Sequence, residues 1–366
     1  MKILLVNNTI FYEENYELFL NKETGNFFLK LSDLGNDVSA FQISQLKTEK
    51  DTFANFRISN KEIKIYDVKR RKSRILPFLK SFFVIQKAII KNDFIYVFYP
   101  GPICKVICIL CILYRKPFGL YVRGEQGIST SVSKFILKRA TNIFTISPKF
   151  TQSILAFNKR VNTIRPMIGF TEEDVVSSRN INLAEKIELL YVGRLVYDKG
   201  LFELIDALEV LVKRGRNIFL NLVGGGTDYE SLIKVVNDKD LSDRVKFHGM
   251  ISAKEDLEQM YKSCNVFVLP TYHEGFPRVL YEAMIMRIPI LTTFVGTINF
   301  LMKDGDNCLE IKPKSVNSIV ENIDKLISNP VLAQNIADNG ANTIIEYLDD
   351  KKMDHSEQLN NNLLAI

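Results

Sequence analysis

Length, composition and charge set the first limits on this chain. Its 366 residues exceed one ordinary hydrophobic core, so two domains are expected, and 46% apolar with 25% charged residues is typical of a globular protein. No apolar stretch reaches the roughly 18–20 residues of a membrane span, and the apolar run at the amino terminus is too short for a signal peptide. Five cysteines without regular pairing fit a reducing cytoplasm.

The first predicted domain covers residues 1–168. Short segments rich in β-branched and aromatic residues alternate there with helical patterns, which favours a parallel sheet. The predicted strands are Ile3–Val6, Val38–Ile43, Ile63–Tyr66, Phe94–Phe98, Phe118–Val122 and Ile143–Ile146.

This first half carries an excess of positive charge. Residues 1–165 hold 27 Lys and Arg against 12 Asp and Glu, whereas the remainder holds 21 against 30. The excess is centred on a basic run that precedes an apolar, aromatic segment of helical character. Such a combination suits the surface of an anionic membrane; the alternative is a solvated loop before an ordinary core helix. No nucleic-acid recognition motif accompanies it. The run consists of Lys69, Arg70, Arg71, Lys72 and Arg74.

Polar residues 169–186 lack apolar periodicity and are interpreted as a linker. A second domain is predicted over residues 187–345, because strand and helix patterns alternate again. Residues 346–366 are predicted to form a C-terminal helix. The predicted strands are Ile187–Val192, Ile218–Val223, Val245–Phe247, Val266–Leu269 and Ile288–Thr292, with helices beginning near Leu201, Tyr229, Lys254 and Arg278.

Residues 270–286, PTYHEGFPRVLYEAMIM, carry the most informative pattern. Glu274 lies in a loop after an apolar strand, and Glu282 lies about one turn into the following helix. Pro277 suits the first turn of that helix, because the position needs no backbone N–H. Both carboxylates are therefore expected above the carboxyl end of the strand, where open α/β sheets bind ligands.

Two glycine segments precede this pattern. Gly193–Gly200 follows a strand and contains Arg194 and Lys199, cations that suit a diphosphate leaving group, although surface cations near a turn are the alternative. Gly224–Gly226 ends the next strand and predicts either close approach to a phosphate or a tight turn. No Lys-Ser/Thr follows it, which excludes a P-loop.

These segments, in this order, resemble the E-x7-E signature of retaining glycosyltransferases of family 4. The resemblance implies an α/β GT-B fold, in which two Rossmann-like domains with parallel sheets face each other across a cleft. The C-terminal helix would then return to the first domain. A nucleotide-diphosphate sugar, UDP- or GDP-linked, would be the co-substrate, with no other cofactor and no metal.

The resemblance also implies roles for single residues. Glu282 would accept hydrogen bonds from the ribose hydroxyls, and Glu274 would contact the donor sugar near the reacting carbon or cap the helix. Arg194 and Lys199 would be catalytic with Glu274, by stabilising the leaving diphosphate. His248 is more readily structural than a proton carrier. The remaining donor-binding positions are Gly193, Gly224, Gly225, His248, Gly249, Gly275, Phe276, Pro277, Arg278 and Val279.

The first domain resembles the family less closely. Asn8 stands where many members have a glycine pair, and the segment with Arg123 and Glu125 stands where many have a histidine. These three residues are candidates for contact with the acceptor or the donor sugar. Glu125 is alternatively an ion-pair partner of Arg123.

Three cysteines, Cys104, Cys108 and Cys111, have the C-x3-C-x2-C spacing of radical-SAM cluster ligands. They lie in an apolar segment of helical character and share one helical face. Buried cysteine packs as a small hydrophobic residue, so packing is the preferred interpretation.

The predicted function is that of a cytoplasmic, peripherally membrane-associated retaining hexosyltransferase. Its acceptor is predicted to be a saccharide or lipid-linked saccharide used for surface polysaccharide. The alternatives are a nucleotide-sugar epimerase or hydrolase on the same fold, or a catalytically silent nucleotide-sugar-binding protein of an assembly complex. The presence of Arg194, Lys199 and both glutamates argues against a silent protein.

Overall fold

The chain folds into two compact units in the computed structural model. The first comprises residues 1–167 and 351–366, and the second comprises residues 168–350. The C-terminal segment thus groups with the first unit. The described residues are 1–8, 11–48, 54–59, 62–70, 75–123, 128–164, 167–274, 277–350 and 353–364.

The first unit is built on a parallel sheet with the strand order β6-β4-β1-β7-β8-β9-β10. The chain runs outward from β1 in one direction and then resumes at β7 on its other side, which is the Rossmann arrangement. The strands of this unit are β1 Lys2–Val6, β2 Phe11–Glu14, β3 Glu17–Leu20, β4 Asp37–Leu46, β5 Phe56–Ile58, β6 Lys64–Lys69, β7 Phe94–Tyr99, β8 Phe118–Val122, β9 Asn142–Thr145 and β10 Val161–Thr163.

A small hairpin extension, absent from the sequence prediction, widens this sheet. Strand β2 pairs with the end of β4 beyond β1, and β3 and β5 add to it antiparallel. Asn15 and Tyr16 form the turn, both at positive φ, as the type I′ hairpin turn requires. The hairpin was missed because tyrosine stands where glycine usually signals such a turn.

Helices cover both faces of the first sheet. One face packs against α2, α3 and α4, whose inner residues form one core with the strands. The other face carries α1 and α12, which pack on each other, and the α1 residue Phe27 packs against the rings of Tyr96 and Phe98. The helices are α1 Lys22–Asp33, α2 Ile75–Lys91, α3 Pro102–Leu113, α4 Ser131–Arg139, α5 Pro148–Leu155 and α12 His355–Leu364.

The second unit repeats the Rossmann order in a parallel sheet, β13-β12-β11-β14-β15-β16. Its strands are β11 Ile187–Val192, β12 Ile218–Val223, β13 Val245–Gly249, β14 Val266–Leu269, β15 Ile290–Thr292 and β16 Leu309–Glu310. Its helices are α6 Leu201–Lys213, α7 Tyr229–Asp238, α8 Lys254–Ser263, α9 Arg278–Ile285, α10 Val316–Ser328 and α11 Pro330–Asp350.

In each unit two neighbouring strands mark the point where the strand order reverses. They are β1 and β7 in the first unit and β11 and β14 in the second. Loops leaving these strands diverge to opposite sides of the sheet, which opens a crevice at their carboxyl ends. Among the described residues, no helix is both long and apolar enough to cross a membrane.

Candidate functional site

The second unit has a pocket of about 230 Å³ at the carboxyl ends of β11 and β14. The pocket therefore lies at the reversal point of the sheet, and it gathers residues from both predicted motifs. Its lining residues are Tyr191, Val192, Gly193, Arg194, Lys199, Leu269, Glu274, Pro277, Arg278 and Val279.

The central feature of the pocket is an ion pair between Lys199 and Glu274. Lys199 is only 5% exposed, and its ammonium also donates to the carbonyl oxygen of His273, 3.3 Å away. A charge this deeply buried requires a partner, because desolvation of a lone ammonium is costly. Sequence reasoning gave these residues separate roles, whereas the structure brings them into direct contact.

Backbone contacts lock the two loops that carry this pair. The amide of Tyr272 donates to the carbonyl oxygen of Asp198 at 2.8 Å. Gly200 has a φ of 68°, and a Cβ there would collide with the carbonyl oxygen of Pro270. Only glycine permits this approach, so glycine at residue 200 allows the two loops to pack against each other.

The second glycine segment packs on the first. Gly224 has a φ of 134°, and its amide donates to the carbonyl oxygen of Gly249 at 2.7 Å. A Cβ at residue 224 would collide with the carbonyl oxygen of Gly193, and one at residue 226 with that of Leu195. Close packing of the loops thus accounts for glycine at both positions, which favours the tight-turn interpretation.

Helix α9 begins beside the pocket at Arg278. Pro277 is the N-cap residue in extended conformation (ψ 114°), one residue before its predicted place in the first turn. The first N–H groups of a helix lack intrahelical partners, and the helix dipole favours an anion there. Gly275 and Phe276 lie outside the described residues.

Glu282 is 9% exposed and lies one turn into α9. Its Oε2 accepts a hydrogen bond of 2.9 Å from the hydroxyl of Tyr261, a fully buried residue of α8. Burial first, and then the charge of Glu282, raise the pKa of Tyr261 well above its usual value, so the hydroxyl remains a donor. Tyr261 thus fixes the carboxylate. Glu282 does not line the pocket itself. Tyr261 was not predicted as a site residue, because its segment of the sequence shows only the spacing of a helix.

His248 lies at the end of β13. Its Nε2 is 2.8 Å from Oδ1 of Asn221 on the neighbouring strand, and Asn221 donates in turn to Glu188 at 2.8 Å. Partial burial, followed by the nearby Lys246, lowers the pKa of His248. Burial and Lys246 thus favour the neutral ring, and the contact with Asn221 orients it, in an arrangement that suits a structural role.

The first unit brings Asn8 and Arg123 together at its own reversal point. The guanidinium of Arg123 donates to Oδ1 of Asn8, and Nδ2 of Asn8 donates to the carbonyl oxygen of Pro100 at 3.2 Å. Arg123 also lies 5.2 Å and 5.8 Å from the ring centroids of Phe98 and Tyr121. Glu125 lies outside the described residues.

A buried histidine from α12 supports these rings. His355 contacts Tyr121 at 4.3 Å between ring centroids, and its Nε2 is 2.5 Å from the hydroxyl of Tyr96. Burial first, and then the charge of Arg123, hold the pKa of His355 well below its usual value. The C-terminal segment therefore inserts a neutral ring beneath the arginine, which the sequence pattern did not signal.

The three cysteines of α3 point into the core of the first unit and are fully buried. Burial raises the pKa of the Cys104 and Cys111 thiols to about 12 and also raises that of Cys108. Cluster ligands need accessible thiolates, so this geometry favours packing. Within the described part of the chain, no three His, Cys, Asp or Glu residues gather as metal ligands do.

A larger depression of about 410 Å³ borders Arg179 in the second unit. Its guanidinium donates to carbonyl oxygens of residues that include Tyr261 and Met286. Arg179 thus joins its own segment to neighbouring segments by hydrogen bonds, which is a structural role. The smaller pocket at the strand ends is therefore the better candidate for chemistry.

The comparisons with known proteins agree with this choice. A family model described as "Glycosyl transferases group 1" matches residues 176–343 and so covers the pocket. Residues 176–343 of the second unit are therefore similar to the glycosyl transferases of group 1. The predicted family resemblance is thus confirmed at the level of group 1.

Two curated relatives extend the match beyond these residues. The capsular polysaccharide biosynthesis glycosyltransferase CapM of Staphylococcus aureus is 28% identical, over 63% of this chain and 67% of the relative. The alpha-D-kanosaminyltransferase of Streptomyces kanamyceticus is 31% identical, over 63% of this chain and 62% of the relative. The match thus spans about two thirds of each relative.

Solved structures confirm the fold of the chain over its whole length. Anabaena Alr3699/HepE in complex with UDP-glucose is similar at a TM-score of 0.73 and 19% identity, with 100% of this chain and 99% of that chain covered. The sucrose-phosphate synthase tll1590 of Thermosynechococcus elongatus is similar at a TM-score of 0.74 and 19% identity, with 100% of this chain and 99% of that chain covered. The predicted α/β class with two Rossmann-like domains of the GT-B type is confirmed.

Proposed function

We propose that this chain is a retaining glycosyltransferase that moves a hexosyl unit from a nucleotide-diphosphate sugar to a saccharide acceptor. The observation that carries the proposal is the buried Lys199–Glu274 ion pair in a pocket at the sheet's reversal point. A carboxylate for the donor sugar's hydroxyls and a cation for the leaving phosphate are groups that such a transfer needs.

We assign the cations to the leaving group. Cleavage between the sugar's anomeric carbon and the β-phosphate oxygen leaves additional negative charge on the nucleoside diphosphate. Lys199, Arg194 and the amide groups at the start of α9 are the donors available to that charge. Loss of one preorganised donor of this kind typically lowers the rate about 10²–10³-fold. No protein base is assigned.

We assign the nucleoside to the side of the pocket nearer Glu282. An ionised carboxylate accepts from both ribose hydroxyls, and the hydroxyl of Tyr261 restricts the rotation of this one. The donor is a UDP- or GDP-hexose. Because the similar Anabaena protein was solved with UDP-glucose, uridine diphosphate sugars are the first donors to test.

The acceptor is assigned to the first unit, where Asn8 and Arg123 offer amide and guanidinium donors. A lipid-linked saccharide for surface polysaccharide is the proposed substrate, in line with the role named for CapM. The enzyme would then work at the inner face of the membrane. Of the predicted basic run, Lys69 pairs with Glu13 at 2.6 Å, Arg70 is half-buried, and residues 71, 72 and 74 lie outside the described residues.

Calorimetric titration with UDP-glucose, UDP-galactose and GDP-mannose tests the donor assignment. We expect one of them to bind, and Glu282→Gln to weaken that binding at least about tenfold, because a charged hydrogen-bond acceptor is lost. Glu258→Gln is the matched control, since this α8 carboxylate pairs with Lys262 outside the pocket. Failure of every nucleotide sugar to bind would contradict the proposal.

Product analysis separates the alternatives. With the bound donor and a saccharide acceptor, we expect a glycoside whose anomeric configuration matches that of the donor. Free or epimerised sugar formed without acceptor would identify a hydrolase or an epimerase. Donor binding without turnover, against every acceptor tried, would identify a silent binding protein.

A further inference from the structure

Three adjacent helices of the first unit present large apolar side chains to solvent. Helices α2, α3 and α4 lie side by side, because their inner residues share one core and α3 packs against both neighbours. Phe83 is 72% exposed, Leu113 70% and Ile90 59%. We call this face the α2–α4 surface. Its exposed apolar residues are Phe82, Phe83, Ile90, Ile109, Leu113, Val132 and Phe135.

Cations are interleaved with these residues at helical spacing. On α2 the sequence Phe83, Lys87, Ile90 follows one side of the helix, and α3 repeats the pattern with Lys105, Ile109 and Leu113. On α4 the guanidinium of Arg139 lies 4.0 Å from the ring centroid of Phe135. Each helix thus shows an apolar stripe with a positive charge beside it.

Acidic residues are missing from the same stretch of sequence. Helices α2, α3 and α4 contain none, and residues 68–171 hold 2 Asp and Glu against 19 Lys and Arg. An ordinary solvated surface mixes both signs of charge. The α2–α4 surface is therefore complementary to an apolar partner that carries dense negative charge.

We propose that the α2–α4 surface docks on an anionic lipid bilayer. Aromatic and aliphatic side chains would enter the boundary between headgroups and acyl chains, while the long stems of Lys and Arg carry their charges to the lipid phosphates. A second copy of the chain fits less well, because a two-fold contact on this face would set cations against cations. This inference deepens the proposed function, because it rests on the membrane location stated there, but it uses none of the donor-site residues.

Vesicle flotation tests the apolar part of the surface. We expect the wild-type chain to float with vesicles of phosphatidylcholine and phosphatidylglycerol, but not with phosphatidylcholine alone. The triple variant Phe83→Ser, Leu113→Ser, Phe135→Ser should lower the partition onto the mixed vesicles at least about tenfold, because three apolar side chains no longer leave water. The matched control changes three exposed apolar residues elsewhere in the chain. These are Tyr16→Ser, Val331→Ser and Leu364→Ser.

A second variant tests the charges and leaves the apolar residues intact. Lys87→Gln, Lys105→Gln and Lys138→Gln together should lower the partition onto the mixed vesicles about 10²-fold, because each lysine near an anionic surface contributes several-fold. These side chains lie on the outside of their helices, so the variant retains its fold. It keeps the proposal falsifiable if the apolar variant does not fold.

Several outcomes would overturn the proposal. One is a wild-type chain that does not float with the mixed vesicles. The others are equal binding to neutral and mixed vesicles, and a triple variant that floats as the wild type does. Self-association that the triple variant abolishes, without vesicle binding, would assign the surface to a second copy. Donor titration of the same samples keeps the two proposals separate, because it reports on the pocket alone.

Discussion

The two units share one strand order and place their candidate residues at the same point of it, but they build that point differently. In the second unit, backbone packs on backbone, and Gly200 and Gly224 occupy positions that no other residue fits. In the first unit, side chains form the corresponding contacts. Arg123 lies over aromatic rings, and His355 packs against one of these rings. Backbone packing leaves a trace in the sequence, because it demands glycine, whereas ring stacking does not.

The reversal points of the two sheets also differ in how they stabilise a positive charge. The buried ammonium of Lys199 is balanced by the carboxylate of Glu274 in the second unit. In the first unit, Asn8 and two aromatic rings hold the guanidinium of Arg123. A guanidinium is a group suited to a negatively charged or hydroxyl-rich substrate.

The largest expected effect concerns the ion pair. Lys199→Met should lower the turnover number about 10²–10³-fold, because the leaving diphosphate loses a preorganised cation. Steady-state kinetics with the identified donor measures this effect. Lys213→Met is the control, since that lysine is exposed and pairs with Glu209 one turn away on α6. Near wild-type turnover in Lys199→Met would remove the leaving-group role.

The next largest effect is a loss of stability, expected when the backbone packing of the second unit is disrupted. Gly224→Ala should lower the free energy of unfolding by about 3 kcal/mol, because a positive φ and a collision with the Gly193 carbonyl add together. Gly215→Ala has a positive φ but open space, so about 1 kcal/mol is expected there. Urea unfolding of both variants compares them. Equal losses would show that the collision contributes nothing.

A smaller effect is expected from the hydroxyl behind Glu282. Tyr261→Phe should weaken donor binding about tenfold, because the carboxylate loses a hydrogen bond that orients it. Calorimetric titration of the donor measures the change, and the melting temperature shows whether the core is intact. Unchanged affinity would mean that Tyr261 serves packing alone.

The smallest expected effect is a dependence of stability on pH that arises in the first unit. The pKa of His355 is lower in the folded state than in the unfolded chain, so its contribution to stability is complete above about pH 6.5. As the pH falls below that value, the unfolded state binds a proton that the folded state rejects. Stability should then fall by up to about 1.4 kcal/mol per pH unit.

Denaturant unfolding between about pH 5.5 and 7.5, one unit either side of the unfolded pKa, measures this slope. His355→Phe should flatten most of it, and the remainder is expected from His248, whose pKa is also lowered. His273→Gln changes an exposed histidine and serves as the control. An unaltered slope in His355→Phe would show that the buried ring does not control the pH response.

Much of the fold followed from local pattern. Strand β11 at Ile187–Val192 and strand β14 at Val266–Leu269 have the predicted bounds, because short apolar runs between polar turns report burial directly. The hairpin of β2 and β3 and the short strand β5 did not follow. They are stabilised by pairing with β4, a long-range contact that local periodicity does not contain.

The sequence by itself determined the alternation of strands and helices, the glycine loops and the two-glutamate segment, because burial and backbone conformation restrict residue types locally. Only the tertiary structure decided that Lys199 meets Glu274, that Tyr261 holds Glu282 and that His355 lies beneath Arg123's aromatic support. These contacts join residues distant in the chain. They depend on which strands become neighbours, and that order is set by packing of the whole sheet.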